Sequence, residues 1–403
     1  MSRENPRQLI RSFPLSAQFA TGPITQDKLV PATFGRVRTN FCQTWREDAL
    51  PSTLDWGKTI SYFFPESLAC ISAAYLQIQL PALSGSTYKD FPALYCVEEF
   101  RLLSNGVEVS KCNVKDQIRN YLESLDDRQL RTFGEAYLGL ESGLSLAART
   151  VMIPICVLPN SAYRTRNGHH NNSHGVFPLR GAKVELQITM SHAGRPSENK
   201  SANPVGSISG LCSILLHEVQ MSEPNVDAYS NMAGRYSIVS TRRTPITTGF
   251  QHYAVPNAVA TWSLNQPVGS IIEVEVLAYV DSAGNADSDE FDGLPQVQPT
   301  LFRVTADTEV VRELDGAQRV KAELWTNGFG SKGNDTIDSP GRLCFAVHAS
   351  ESDSIYSGAW NQQNSTTVSY DVRFPSACYY KIVATQYERI KINARGSLES
   401  YLD

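Results

Sequence analysis

The sequence carries little charge and no strong excess of either sign. Only 19% of its 403 residues are Asp, Glu, Lys or Arg, and 36 basic against 41 acidic residues leave a net charge of −5. Proteins that coat nucleic acid show a basic stripe or tail. Here the one basic cluster is Arg3, Arg7 and Arg11, offset in part by Glu4, and no direct nucleic-acid contact is expected. Long apolar runs are missing as well. Nowhere do about 18 uncharged apolar residues follow one another, so no membrane-spanning helix is expected. The opening MSRENPRQLIRSF has no apolar core of a secretory signal.

Paired cysteine motifs are also absent. The eight cysteines (Cys42, Cys70, Cys96, Cys112, Cys156, Cys212, Cys344, Cys378) contain no CxxC, and free buried thiols are the expectation. The G-x-S-x-G elbow of serine hydrolases does not occur. Sequons stand at Asn171, Asn199, Asn334 and Asn364; they mark polar loops, and glycosylation is not expected.

What is present is alternation. In AYLQIQLP, Leu76, Ile78 and Leu80 share one face, opposite Tyr75, Gln77 and Gln79. In GAKVELQITM the inward set is Val184, Leu186, Ile188 and Met190. The second half repeats this: Val274, Val276 and Val280 oppose Glu273 and Glu275, and Val368, Tyr370, Val372 and Phe374 oppose polar residues. A period of two with one wet face denotes antiparallel sheet. Seventeen Tyr and 16 Phe suit half-buried β-surfaces. Asn105-Gly106 predicts a tight hairpin, and Asp315-Gly316 between TEVVREL and QRVKAELW predicts another. One segment departs from alternation. Asn113 is placed to cap a helix, Asp116 suits its first turn, and Ile118, Leu122 and Leu125, then Leu130, Phe133 and Tyr137, form apolar stripes. One or two helices are expected over about 113–138, packed on the sheet.

The length suits two domains. We expect an N-terminal arm over 1–30, a first sandwich over 31–222, a linker over 223–234 and a second sandwich over 235–403. Polar, Gly- and Ser-rich loops at 192–210, 281–300 and 326–341 are candidates for contacts with neighbours. No sequence repeat is visible between the halves.

Three clusters invite chemistry, and each lacks its context. Gly328-Phe329-Gly330-Ser331-Lys332-Gly333 fits a dinucleotide loop in spacing only, because a helix must follow and Asn334, Asp335 and Pro340 do not make one. His169, His170 and His174 lie beside Arg164 and Arg166, which repel a cation. Asp281, Asp287, Asp289, Glu290 and Asp292 lack the spacing of a calcium loop. No catalytic, cofactor or metal residue is assigned.

Several short segments resemble the major capsid proteins of nucleocytoplasmic large DNA viruses, virophages and polinton-like viruses. They are Thr33-Phe34, Arg38-Thr39-Asn40-Phe41, Asp55-Trp56-Gly57-Lys58, Leu76 to Pro81, Met152 to Pro159, Val176 to Ile188, Ser357-Gly358-Ala359-Trp360-Asn361, and Ala384 to Ile392. They occur in the family's order. The last resembles its closing strand, with Gln386 and Glu388 where that pattern prefers asparagine, and Arg395-Gly396-Ser397-Leu398 is a reduced glycine-rich ending. The resemblance implies an all-β protein of two eight-stranded antiparallel jelly rolls side by side, with the helical insertion in the first. It implies a structural, non-enzymatic subunit of the virion, synthesised in the host cytoplasm. Homotrimers would form pseudo-hexagonal capsomers that tile an icosahedral shell. The implied partners are further trimers, penton and minor capsid proteins, with an internal membrane as a candidate neighbour. The long loops and the stretch Tyr356 to Trp360 are candidate seams between subunits. A membrane-shaping assembly scaffold of the same fold and a carbohydrate-binding β-sandwich are the alternatives from other classes.

Overall fold

A computed structural model describes residues 41–50, 53–83, 87–89, 91–122, 127–139, 149–158, 177–179, 183–197, 208, 212–221, 238–264, 269–280, 297–326, 341–345, 360–362, 365–392 and 398–402. The arm at 1–30, the linker at 223–234, the four sequons, the histidine cluster, the glycine-rich hexapeptide and the acidic stretch all lie outside these residues, as do most of the three polar loops. The chain divides into two compact units, Met1–Ser240 with Arg389–Tyr401, and Thr241–Glu388 with Leu402–Asp403.

In the first unit the strands are β1 (Phe41–Ala49), β2 (Thr59–Phe63), β3 (Cys70–Leu80), β4 (Val97–Ser104), β5 (Val107–Asn113), β6 (Arg149–Pro154), β7 (Phe177–Pro178), β8 (Val184–Met190) and β9 (Ser213–Met221). They form two sheets, β1-β9-β3-β6 with β7 added beside β3, and β2-β8-β4-β5. Every described pairing is antiparallel. Leaving aside the two-residue β7, successive strands wrap alternately between the sheets. Only the β4–β5 hairpin stays within one. Eight strands wound in this way are a jelly roll.

The second unit uses β10 (Ile238–Pro245), β11 (Gln251–Tyr253), β12 (Ala260–Leu264), β13 (Ser270–Val280), β14 (Leu301–Ala306), β15 (Glu309–Asp315), β16 (Gly341–Cys344), β17 (Trp360–Asn361), β18 (Val368–Arg373) and most of β19 (Cys378–Ile392), whose end from Arg389 belongs, like β20 (Leu398–Leu402) up to Tyr401, to the first unit. Its sheets run β10-β19-β13-β16 and β12-β18-β14-β15, with β11 and β20 beside β19 and β17 beside β13. The winding is that of the first unit. The irregularities coincide too. The register slips at Ile71/Ala73 between β3 and β9 and at Ile271/Glu273 between β13 and β19. It slips again at Leu102/Leu103 in the β4–β5 hairpin and at Val304/Thr305 in β14–β15. Asn105 N donates to Lys183 O just before β8, and Asp307 N donates to Thr367 O just before β18. The repeat invisible in sequence is therefore explicit in backbone geometry.

The alternating residues fill the cores as their period requires, except Val280 at the end of β13, which is 46% exposed. Leu76, Ile78 and Leu80 are buried with Val184, Leu186, Ile188 and Met190 in the first, and Val274, Val276, Val368, Tyr370, Val372 and Phe374 in the second. Ile390 and Leu398, within the segment read as the end of the second sandwich, pack into the first core.

The helical insertion follows β5 as α1 (Val114–Leu122) and α2 (Asp127–Phe133), continued by a π-helical turn over Gly134–Leu138. Asp116 N donates to Asn113 Oδ1 at 3.1 Å, the expected cap. Ile118 and Leu138 are core residues, and Phe133 and Tyr137 pack against that core. A third helix, α3 (Ala317–Thr326), occupies the equivalent place after β15. It corrects the hairpin expected at Asp315-Gly316, because QRVKAELW is helical. Gly316 has φ 102 and its carbonyl accepts the first helical bonds from Arg319 and Val320. Gln318, Arg319, Lys321, Ala322, Glu323 and Leu324 are good helix formers. The actual hairpin lies one strand earlier, where Asp307 takes φ 51.

Candidate functional site

On the first jelly roll, β1 alternates so that Trp45 points outward, directly opposite His217 of β9. The indole is 60% exposed. Its ring stacks on the imidazole at 4.7 Å and lies 5.9 Å from Tyr75. Tyr75 in turn stacks on Tyr137 at 5.3 Å, and Tyr137 meets Phe133 at 5.1 Å. The helical insertion thus extends an aromatic row across the sheet's outer side. Ser72, the bulged residue of β3, places Oγ 2.6 Å from His217 Nδ1. A serine beside a histidine is the start of a nucleophilic arrangement. However, Ser72 is only 1% exposed and also donates to the His217 carbonyl at 3.3 Å. It presents no oxygen to a substrate and serves to fix the ring. Burial holds the His217 pKa below its ordinary value.

On the second jelly roll the surprise is charge. Glu273 and Glu275, read from the sequence as a solvated face of β13, are fully buried. Register explains how. Arg342 of β16 stands opposite Glu275, and Thr385 of β19 opposite Glu273. Arg342 Nη2 lies 2.9 Å from Glu275 Oε1 and its Nη1 3.5 Å from Glu273 Oε1. Arg243 closes on Glu275 Oε2, and the Thr385 hydroxyl donates to Glu273 at 3.1 Å. Farther along β19, Glu388 pairs with Arg242 at 3.6 Å. Three carboxylates thus meet three guanidiniums, a balanced set that buried charge requires. Glu388 stands where the resembling sequences prefer asparagine, and Arg242 is its charged partner.

The side chains flagged from sequence, in the clusters around His169, Gly328 and Asp287, lie outside the described residues. Among the described residues no three His, Cys, Asp or Glu lie close enough together to hold a metal ion. Of the candidate seam at 356–360, only Trp360 is described; it packs on Phe345 at 5.0 Å. The sequence reading missed the Trp45 row and the buried ion set. Alternation shows which residues share a face, whereas the cross-strand register that joins Arg342 to Glu275 spans 67 positions and leaves no local signal.

No protein-family model matches the sequence, and no characterised protein matches it by sequence. Solved structures do match. The PBCV-1 virus capsid protein aligns with TM-score 0.61 at 13% identity, over 91% of this chain and 97% of its own. The Faustovirus major capsid protein aligns at 0.55 and 9% identity over 96% and 98%. This chain has the double jelly-roll fold. The mavirus major capsid protein has it too, at 0.53 and 11% identity over 89% and 90%. The alignment spans nine-tenths or more of each of these neighbours.

Proposed function

We propose that this protein is a structural major capsid subunit of a DNA virus and performs no catalysis. The observation that carries this reading is the extent of the fold match: two jelly rolls with the same winding, aligned over nine-tenths or more of this chain with proteins described as viral capsid components. Three copies joined head to tail close into a ring. Six jelly rolls then give a capsomer of hexagonal outline, which tiles the facets of an icosahedral shell. Such an obligate seam buries upwards of about 2,000 Å². Contacts between capsomers are smaller and polar, and a net charge of only −5 limits repulsion between copies across a facet.

The partners of this assembly are the chain's own copies and penton and minor capsid proteins, with an internal membrane as a candidate neighbour and no direct contact to nucleic acid. Synthesis is in the host cytoplasm. Residues 1–30 act as an inner-side arm that touches a minor capsid protein or the membrane, and 223–234 join the two jelly rolls. The test is composition: purified particles should contain this chain as their dominant protein. A chain present during assembly and missing from mature particles would be a scaffold. Deleting residues 1–20 should leave trimers intact and impair capsids; normal particles from the truncated chain would remove the arm's role.

A further inference from the structure

Two of the buried thiols are neighbours. Cys112, the penultimate residue of β5, and Cys156, two residues beyond β6, face each other in the first core with Sγ atoms 3.2 Å apart. β5 is the outermost strand of one sheet and β6 the outermost strand of the other, so the pair bridges the two layers at one margin of the sandwich. The 44-residue separation between them encloses the whole helical insertion. Packing alone does not call for sulfur here. In the second jelly roll the position equivalent to Cys112 is Leu314: each lies opposite a phenylalanine, Phe100 or Phe302, two residues before the hairpin bulge. By contrast the Cys96 thiol donates to the Pro92 carbonyl at 3.2 Å, and burial pushes the Cys70 thiol up to about 12.

We propose that Cys112 and Cys156 form a redox-responsive cross-link, a dithiol that closes to a disulfide and staples the two sheets of the first jelly roll. An approach of about 1.2 Å converts the present contact into a covalent bond. The oxidant is a low-molecular-weight disulfide such as oxidised glutathione, which enters when the β5 margin opens. The Cys112 thiol loses its proton, its thiolate attacks one sulfur of the oxidant, and one thiol of the oxidant leaves. The Cys156 thiolate then attacks the Cys112 sulfur of this mixed disulfide and expels the second thiol. Two hydrogens leave the protein, and two electrons reduce one small disulfide to two thiols. Closing a loop of this length restricts the unfolded chain, so the oxidised form gains thermal stability.

The full-length protein should be incubated with oxidised glutathione, quenched with acid and labelled with a maleimide in denaturant. The expected result is two of the eight thiols protected, and a proteolytic fragment that joins Cys112 to Cys156 and is about 2 Da lighter than the reduced pair. Tm should rise by about 5 °C or more and return on reduction. In Cys112→Ser and in Cys156→Ser the protection and the rise should both vanish. Eight labelled thiols after oxidation, a link between other cysteines, or a Tm rise that survives in Cys156→Ser would each overturn the proposal. The wild-type labelling result stands alone if a variant fails to fold.

Discussion

Arg342 is the largest side chain fully buried among the described residues, and it is tolerated there because Glu273 and Glu275 receive its two nitrogens. Removing one member of such a set leaves an uncompensated buried charge, which costs about 3–5 kcal/mol. Arg342→Met should therefore lower unfolding free energy by about that amount in a denaturant titration. A loss below about 1 kcal/mol would mean that solvent reaches the carboxylates. His217 responds to acid. Burial lowers its pKa from 6.5, so the unfolded chain binds the proton more readily than the folded one. The neutral ring's contribution is whole above pH 6.5 and is lost as pH falls from there through the folded value. Tm should fall between about pH 7.5 and about pH 5, and fall less in His217→Gln. An identical fall in the variant would assign the acid response elsewhere.

Hairpins and caps test the intermediate scale. Asn105 and Gly106 have φ 51 and 79, the left-handed pair of a tight two-residue turn. Gly106→Ala should cost about 1–2 kcal/mol from backbone strain, since nothing lies within 4 Å of an added Cβ to compensate or clash. An unchanged stability would show that the hairpin does not need that backbone. Asn113→Ala removes the helix cap and should cost about 1 kcal/mol, read as a lower Tm; no change would assign the end of α1 to tertiary packing alone. These two features were legible because each is written within four residues. Asp315-Gly316 was misread for the same reason that Asn105-Gly106 was read correctly. The dipeptide marks a reversal but does not say whether strand or helix follows, and only the helix formers of 317–326 decide that. Likewise Glu273 and Glu275 alternate like solvated residues, and the burial of their face depends on strands about 70 and about 110 positions away.

At the scale of the molecule, the order of short motifs from Thr33 to Leu398 carried the fold, and the structural neighbours agree with it at 9–13% identity. The internal repeat was not legible, because it resides in strand winding, paired bulges and helix placement, all of which many sequences satisfy. Leu314 in place of Cys112 shows how freely side chains change while the backbone plan persists. What such a fold does as an assembly is decided by its quaternary state. Size-exclusion chromatography with light scattering on the purified chain, followed by negative-stain imaging, addresses this most directly. Three times 44.5 kDa and particles of hexagonal outline are expected; a stable monomer that never forms such particles would contradict a capsid role.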